Sequence, residues 1–193
     1  MSLILASNSQ IRRSMLDQAG IGFEVRSPEF DEDEAKAGFS GEPHELARML
    51  AEGKAASVGS DSDDWVIGSD SVVTVEDRIF SKPRDRREAA AHLRHFSGRT
   101  MLLSSAAALA RRGRVDWSHA ETARLDVRPL SEEFITSYLD EEWPEVAYCV
   151  GVFRMEGPGV TLFDRVEGNY FTILGMPLLP LLGALRDRGL MPS

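Results

Sequence analysis

Extended apolar runs alternate with helical stripes along this chain, and that alternation limits the folds open to it more than any other feature. Leu3 to Ala6 reads as a buried strand. Ser9 then caps a helix running to about Ala19, with Ile11, Met15, Leu16 and Ala19 on one face and Gly20 at its end. Phe23 to Arg26 alternates as a short strand. Pro43 suits a first helical turn, and Leu46, Ala47, Leu50, Ala51 and Val58 continue a helical stripe. Trp65 to Gly68 is a second apolar strand, and Ser71 to Val75, a turn at Glu76-Asp77 and Ile79-Phe80 predict a hairpin. Asp85 and Glu88 have capping-box spacing ahead of Ala89, Leu93 and Phe96. Met101 to Ala110 and Val115 to Val127, hinged at Gly113, predict a long antiparallel pair. Ser131 caps a helix through Tyr138, Val160 to Val166 is strand-like, and Pro177 opens a last helix ended by Gly189. Interleaved helices and strands with hairpins in the middle predict a mixed α/β (α+β) domain, not a purely parallel doubly wound one.

Two polar stretches interrupt the pattern, the acidic residues 27 to 43 and the short run 59 to 64. Neither is long enough to argue a boundary, and 193 residues suit one sizeable core, so residues 1–193 are expected to form a single domain. No apolar run approaches the roughly 20 residues of a membrane-spanning helix. The opening MSLILAS lacks a basic segment and does not resemble a secretory signal, so a cytoplasmic location and no membrane partner are expected. The net charge of −9 demotes a duplex-DNA binder, and nucleic acid is not expected as a partner. An acidic chain can still take a polyanion such as a nucleotide, given a local cluster of Arg and Lys, a divalent metal, or both.

Five segments carry candidate chemistry. The turn from Ala6 to Arg13 joins a strand to a helix and offers backbone N–H groups, the hydroxyls of Ser7 and Ser9, and two arginines. Arg12 and Arg13 lie in a first helical turn, where cations oppose the helix dipole unless an anion is near. Asp70 is flanked by apolar residues at a strand end, and a carboxylate is costly to bury without partners. Gly68 and Ser69 beside it would let a ligand approach closely. Lys82 is held by Pro83 just after the hairpin, and the acidic run Asp31 to Glu34 can supply hard oxygen ligands. Lys54, on the polar edge of its helix, reads by itself as a surface lysine. His44, His92, His95 and His119 lack a nucleophile-like setting, with His92 and His95 expected at a solvated surface. Cys149, the single cysteine, reads as a buried small apolar group.

Taken together these residues resemble the Maf family of nucleoside triphosphate pyrophosphatases, the septum-formation-inhibitor family. LASNSQIRRSML is similar to the family's LASxSPRRxxLL signature, SPEFDEDE to its acidic segment with Glu32 at the glutamate, and LAEGKA to its LAxxKA helix with Lys54. VIGSDSVV is similar to its IGxDxVV strand with Asp70. FSKPRDRREAAAHLRHFSGR and EGPGVTLFDRVEGNYFTILGMPL resemble its two later blocks. Gln10 stands where the signature has proline and Ser81 where it has glycine.

The resemblance implies a Maf/ITPase-like twisted mixed sheet in two lobes with a central nucleotide-binding cleft. It implies metal-assisted hydrolysis of a nucleoside triphosphate to monophosphate and pyrophosphate. Asp70, Lys82 and Glu32 would be catalytic, Asp70 and Glu32 would hold Mg²⁺ or Mn²⁺, and Ser7, Ser9, Arg12, Arg13 and Lys54 would bind substrate. Phe153, Arg154 and Glu156 look like the branch acting on 7-methyl-GTP, since a carboxylate and an aromatic face suit a cationic guanine. That segment is two residues longer around Tyr148-Cys149 than the branch pattern. The alternatives are a dTTP/UTP pyrophosphatase with the same catalytic set, and a nucleotide-binding regulator of cell division without turnover. A homodimer is common in the family, and the apolar residues of the long hairpin and Trp143 could form its contact.

Overall fold

The structure is a computed structural model that describes residues 2–59 and 63–192. Strand β1 (Leu3–Ala6) leads to helix α1 (Gln10–Gln18), strand β2 (Glu24–Arg26) and a short helix α2 (Glu32–Ala37). Helix α3 (Pro43–Ala56) precedes β3 (Trp65–Val75), β4 (Arg78–Phe80) and α4 (Arg86–Phe96). The long strands β5 (Thr100–Arg111) and β6 (Arg114–Val127) follow, then α5 (Glu132–Glu142). Two 3₁₀ turns, β7 (Phe163–Glu167), α6 (Tyr170–Leu174) and α7 (Leu178–Asp187) complete the order. The strands form one mixed sheet in the order β2-β1-β3-β5-β6-β7, with β4 paired to β3. The fold is therefore the expected mixed α/β class.

The chain divides into two compact units, and it changes unit within β3, β5 and β6 and again between β7 and α6. The first comprises Met1–Ser71, Ser104–Glu121 and Asn169–Ser193. Here β1 lies parallel to both β2 and β3, the latter in the register Leu3↔Trp65 to Ala6↔Gly68. Leu5, Ile67 and Leu109 from the strands pack with Leu16, Leu181 and Leu185 from the helices in one apolar cluster. Residues 65–70 are all buried, which is why the strand reads as a continuous apolar run instead of alternating. The second unit comprises Val72–Leu103 and Thr122–Gly168. In it β4 folds back on β3 through Glu76 and Asp77, both at positive φ, and β7 pairs antiparallel with β6. Helix α4 packs on α5, and Arg94 bridges them by gripping both carboxylate oxygens of Glu132 at 2.7 and 2.8 Å.

Several expectations change. The acidic segment contains α2, whose first-turn N–H groups at Asp33 and Glu34 are capped by the Asp31 carboxylate, each at 3.0 Å. Residues 60–62 of the polar connection at 59–64 lie outside the described residues. The Ser131-capped helix runs on to Glu142, and the segment 160–166 splits into a 3₁₀ turn over Pro158–Leu162 followed by β7. His92 is not at a solvated surface: it is buried edge-on against Phe80, ring centroids 5.1 Å apart, and its partner in the spacing, His95, packs on the same ring. No described helix is long and apolar enough to cross a membrane.

Candidate active site

Strand register brings the sequence candidates of the first unit together. Strand β1 stops pairing at Ala6↔Gly68, while β3 runs on. Asp70 thus sits two residues beyond the carboxyl end of β1, the end of a parallel pair where α/β sites collect. The turn Ser7-Asn8-Ser9 leaves β1 at the same end and starts α1.

Lys54 is the centre of the site. It lies in the last turn of α3, where a cation is favoured by the helix dipole. Its ammonium donates to Asp70 Oδ1 at 3.0 Å and meets Glu32 Oε1 at 2.8 Å. Lys54 is only 7 % exposed and Asp70 9 %, so the expectation of a surface lysine is overturned. A buried ammonium needs compensating acceptors, and two carboxylates supply them. Glu32, in the first turn of α2, is half-exposed, and its other oxygen meets Lys36 at 3.3 Å. Burial pushes the Glu32 carboxyl upward, but the hydrogen bond and charge of Lys54, with Lys36 behind it, hold it below the ordinary glutamate range.

Arg12 and Arg13 have different surroundings. The Arg12 guanidinium turns inward and donates from Nε to the Gly175 carbonyl at 2.9 Å, from Nη1 to the Ser69 carbonyl at 2.9 Å, and from Nη2 to Ser71 Oγ at 3.1 Å. Its Nη2 lies 4.0 Å from Asp70 Oδ1. Burial lowers the Arg12 pKa, with Asp70 and then Glu32 opposing that shift, so the anion that excuses this cation at a helix N-terminus is the protein's own. Arg13 Nε is buried and has no hydrogen-bond partner among the described residues. Ser7 is buried, and its Oγ accepts the Ser9 N–H at 3.2 Å, while the Ser9 side chain makes no capping bond.

The flanking residues on β3 do not leave room for a ligand. A Cβ at Gly68 would fall 2.1 Å from the Ala51 carbonyl oxygen and 2.6 Å from the Ala55 nitrogen, so that glycine exists to let α3 lie on the strand. Ser69 is fully buried and donates to the Gly175 carbonyl at 3.2 Å. Ser71 Oγ reaches the same carbonyl at 3.2 Å and Ser105 Oγ at 2.9 Å. Gly175, Ser71 and Ser105 are parts of the site that sequence reasoning missed, and Ser69 serves as an internal donor instead of making room for a ligand. GMPL in the closing block carries the signal for Gly175 only through the resemblance.

The remaining candidates belong to the second unit. Lys82 is exposed in the loop after β4, next to the buried Pro83. Phe153 is buried with its ring edge-on to Phe163, centroids 4.9 Å apart. Arg154 grips Glu142 through two bonds of 2.9 and 2.8 Å, and Glu156 is exposed. Cys149 is half-buried and not the fully buried group expected, and desolvation, followed by the charge of Glu156, pushes its thiol up to about 11, which suits a packing role and not a nucleophile.

Glu32 and Asp70 are two hard-oxygen carboxylates, the number Mg²⁺ takes from protein when phosphate oxygens and water complete its shell. Among the described residues no three His, Cys, Asp or Glu side chains gather to hold an ion unaided. The donor set thus fits an ion that arrives with a polyphosphate.

The family description "Maf-like protein" matches residues 2–188. A protein named 7-methyl-GTP pyrophosphatase from Rhizobium meliloti (strain 1021) is 46% identical over 191 residues, covering 97% of this chain and 96% of its own length. One named nucleoside triphosphate pyrophosphatase from Sphingopyxis alaskensis is 44% identical over 198 residues and covers 100% of both chains. The solved nucleoside-triphosphatase / dITP/XTP pyrophosphatase of Mycobacterium abscessus is 17% identical, covers 66% of this chain and 73% of its own, and superposes with a TM-score of 0.41, too slight a likeness to support an argument. From the family match and these near-full-length relatives, the chain belongs to the Maf family.

Proposed function

We propose that this chain is a nucleoside triphosphate pyrophosphatase that cuts between the α and β phosphates, with 7-methyl-GTP as its preferred substrate. The observation that carries the reading is the buried cluster in which Lys54 joins Asp70 to Glu32 beside Arg12. An ammonium and two carboxylates held this tightly are costly to fold and are the groups that phosphoanhydride hydrolysis uses. The name of the Rhizobium meliloti relative and the exposed carboxylate of Glu156 support the choice of base.

In this mechanism a water oxygen attacks the α-phosphorus, its proton passes to Asp70, and the bond to the bridging oxygen breaks with its electron pair leaving on pyrophosphate. Lys54 opposes the charge that grows on the transferring and leaving oxygens. Arg13, in the first turn of α1, binds phosphate, and Ser7 and Ser9 line the turn beside it. Arg12 acts through Asp70, because its donors are already taken by Gly175, Ser69 and Ser71. A Mg²⁺ or Mn²⁺ ion held by Glu32 and Asp70 would supply charge neutralisation for the polyphosphate.

Pyrophosphate release with Mg²⁺ or Mn²⁺ tests this across 7-methyl-GTP, GTP, dTTP, UTP and CTP. The expected result is a clear preference for 7-methyl-GTP, and a loss of about 10²- to 10⁴-fold in turnover for Asp70→Asn. Preference for dTTP or UTP would keep the chemistry and overturn the base. Binding without release from any nucleotide would replace the enzyme by a nucleotide-binding regulator, and an Asp70→Asn variant with more than half of wild-type turnover would remove the proton acceptor.

A further inference from the structure

Glu142 is the last residue of α5 and is 2 % exposed. A carboxylate at the C-terminal end of a helix faces the negative end of the dipole, and burying it there adds a desolvation cost. Only a strong partner makes the position tolerable. Arg154 is that partner, with Nε and Nη2 on the two oxygens at 2.9 and 2.8 Å, a planar fork on a carboxylate. One turn earlier on α5, Tyr138 is also buried and donates its hydroxyl to the Val152 carbonyl at 3.0 Å. Tyr138 and Glu142 are four residues apart and so share a helix face.

What they hold is a strained segment. Val152 is fully buried at φ 57°, a left-handed conformation that a β-branched residue avoids. Its N–H returns to the Cys149 carbonyl at 3.1 Å, and the Gly157 N–H to the Arg154 carbonyl at 3.2 Å. Such a backbone persists only where its surroundings over-determine it. Between those two closures the one exposed side chain is that of Glu156.

We infer that Glu142 and Tyr138 are positioning residues for base selection: they fix residues 150–157 from α5 and so present the Glu156 carboxylate in one place. This rests on the proposed role of Glu156 in reading the base. Neither residue touches substrate, so each acts on binding and discrimination more than on the chemical step.

The test compares wild type with Glu142→Gln and Tyr138→Phe, the second removing one hydroxyl and nothing else. Steady-state kinetics are measured on 7-methyl-GTP and GTP, and amide exchange is followed at Val152 and Gly157. Glu142→Gln should raise KM for 7-methyl-GTP about tenfold, leave kcat within about twofold and narrow the preference over GTP, with a smaller shift of the same kind for Tyr138→Phe. A merely structural role would lower the melting temperature and the active fraction for both nucleotides alike while KM stays fixed. Folded variants with unchanged KM and unchanged preference would overturn the inference. If wild type prefers a different nucleotide, the substrate reading fails and the same KM shift is read on that nucleotide. If wild type turns nothing over, the proposed activity fails, and exchange decides: faster exchange at Val152 and Gly157 in the variants supports the positioning role, and unchanged exchange refutes it.

Discussion

Replacing Lys54 with methionine takes away the ammonium that joins two carboxylates and leaves their oxygens facing each other. The contacts of 2.8 and 3.0 Å limit the gap between Glu32 Oε1 and Asp70 Oδ1 to no more than about 6 Å, where two unit charges repel by about 3 kcal/mol at an effective dielectric of about 20. Glu32 keeps 38% of its side chain in solvent, and screening reduces that figure to about 1.5 kcal/mol. Adding the lost attraction, Lys54→Met should destabilise the fold by about 2–3 kcal/mol at pH 7.5, below the roughly 3–5 kcal/mol of breaking a fully buried pair because Glu32 is half-exposed. The pH dependence has a definite sign. In wild type the Glu32 carboxyl is held below its ordinary value, so its contribution is complete at pH 5 and is lost only as pH falls through that lowered value. In the variant, the repulsion is relieved when one of the two carboxylates takes a proton, so the variant regains stability on acidification. Urea unfolding at pH 7.5 and pH 5 should therefore show the gap between the two proteins narrowing by about 1 kcal/mol at the lower pH. Adding Asp70→Asn to Lys54→Met should restore part of the loss, because one of the two like charges is gone. An equal gap at both pH values, together with strictly additive single and double variants, would refute the shared-ammonium reading.

Two further predictions concern packing and reactivity. Gly68→Ala should lower the urea midpoint by the equivalent of about 2–3 kcal/mol, because its methyl group would meet the α3 backbone at Ala51 and not a yielding side chain; a neutral result would mean that α3 does not lie this close to β3. Cys149, its thiol raised to about 11, should carry a thiolate fraction of about 10⁻³ at pH 8 and alkylate far more slowly with iodoacetamide than a free cysteine, with labelling as fast as in the urea-unfolded chain counting against that burial.

Elements with a strong period were legible from the residues, and so was the class of fold. The long hairpin, α3, α4 and α7 each have a stripe or alternation and a turn former at the end. Helix α2 was hidden because none of its residues is buried, so its acids show no apolar period. Helix α6 is five residues long, too short to show one. Within the site, Asp70 stood out as a carboxylate in an apolar strand. Lys54 lies four residues after Leu50 and three after Ala51, at the edge of the stripe of α3, and it reads as a surface lysine because what covers that edge is a tertiary fact. Gly68 suggested room for a ligand because a missing side chain looks the same whether a substrate or a helix fills the space. The carbonyl of Gly175 has no sequence signal as an acceptor, since any residue carries one.

The bond from Arg12 to that carbonyl joins positions 163 residues apart. During synthesis at roughly 5–20 residues per second, about 8–30 s separate the guanidinium from this acceptor. For most of that interval Lys54, Glu32 and Asp70 are all present, and only the Gly175 acceptor of Arg12 is missing. The three members of the ion-paired cluster lie within residues 32–70, whereas the clamp that orients Arg12 beside it depends on a carbonyl more than a hundred residues further along the chain.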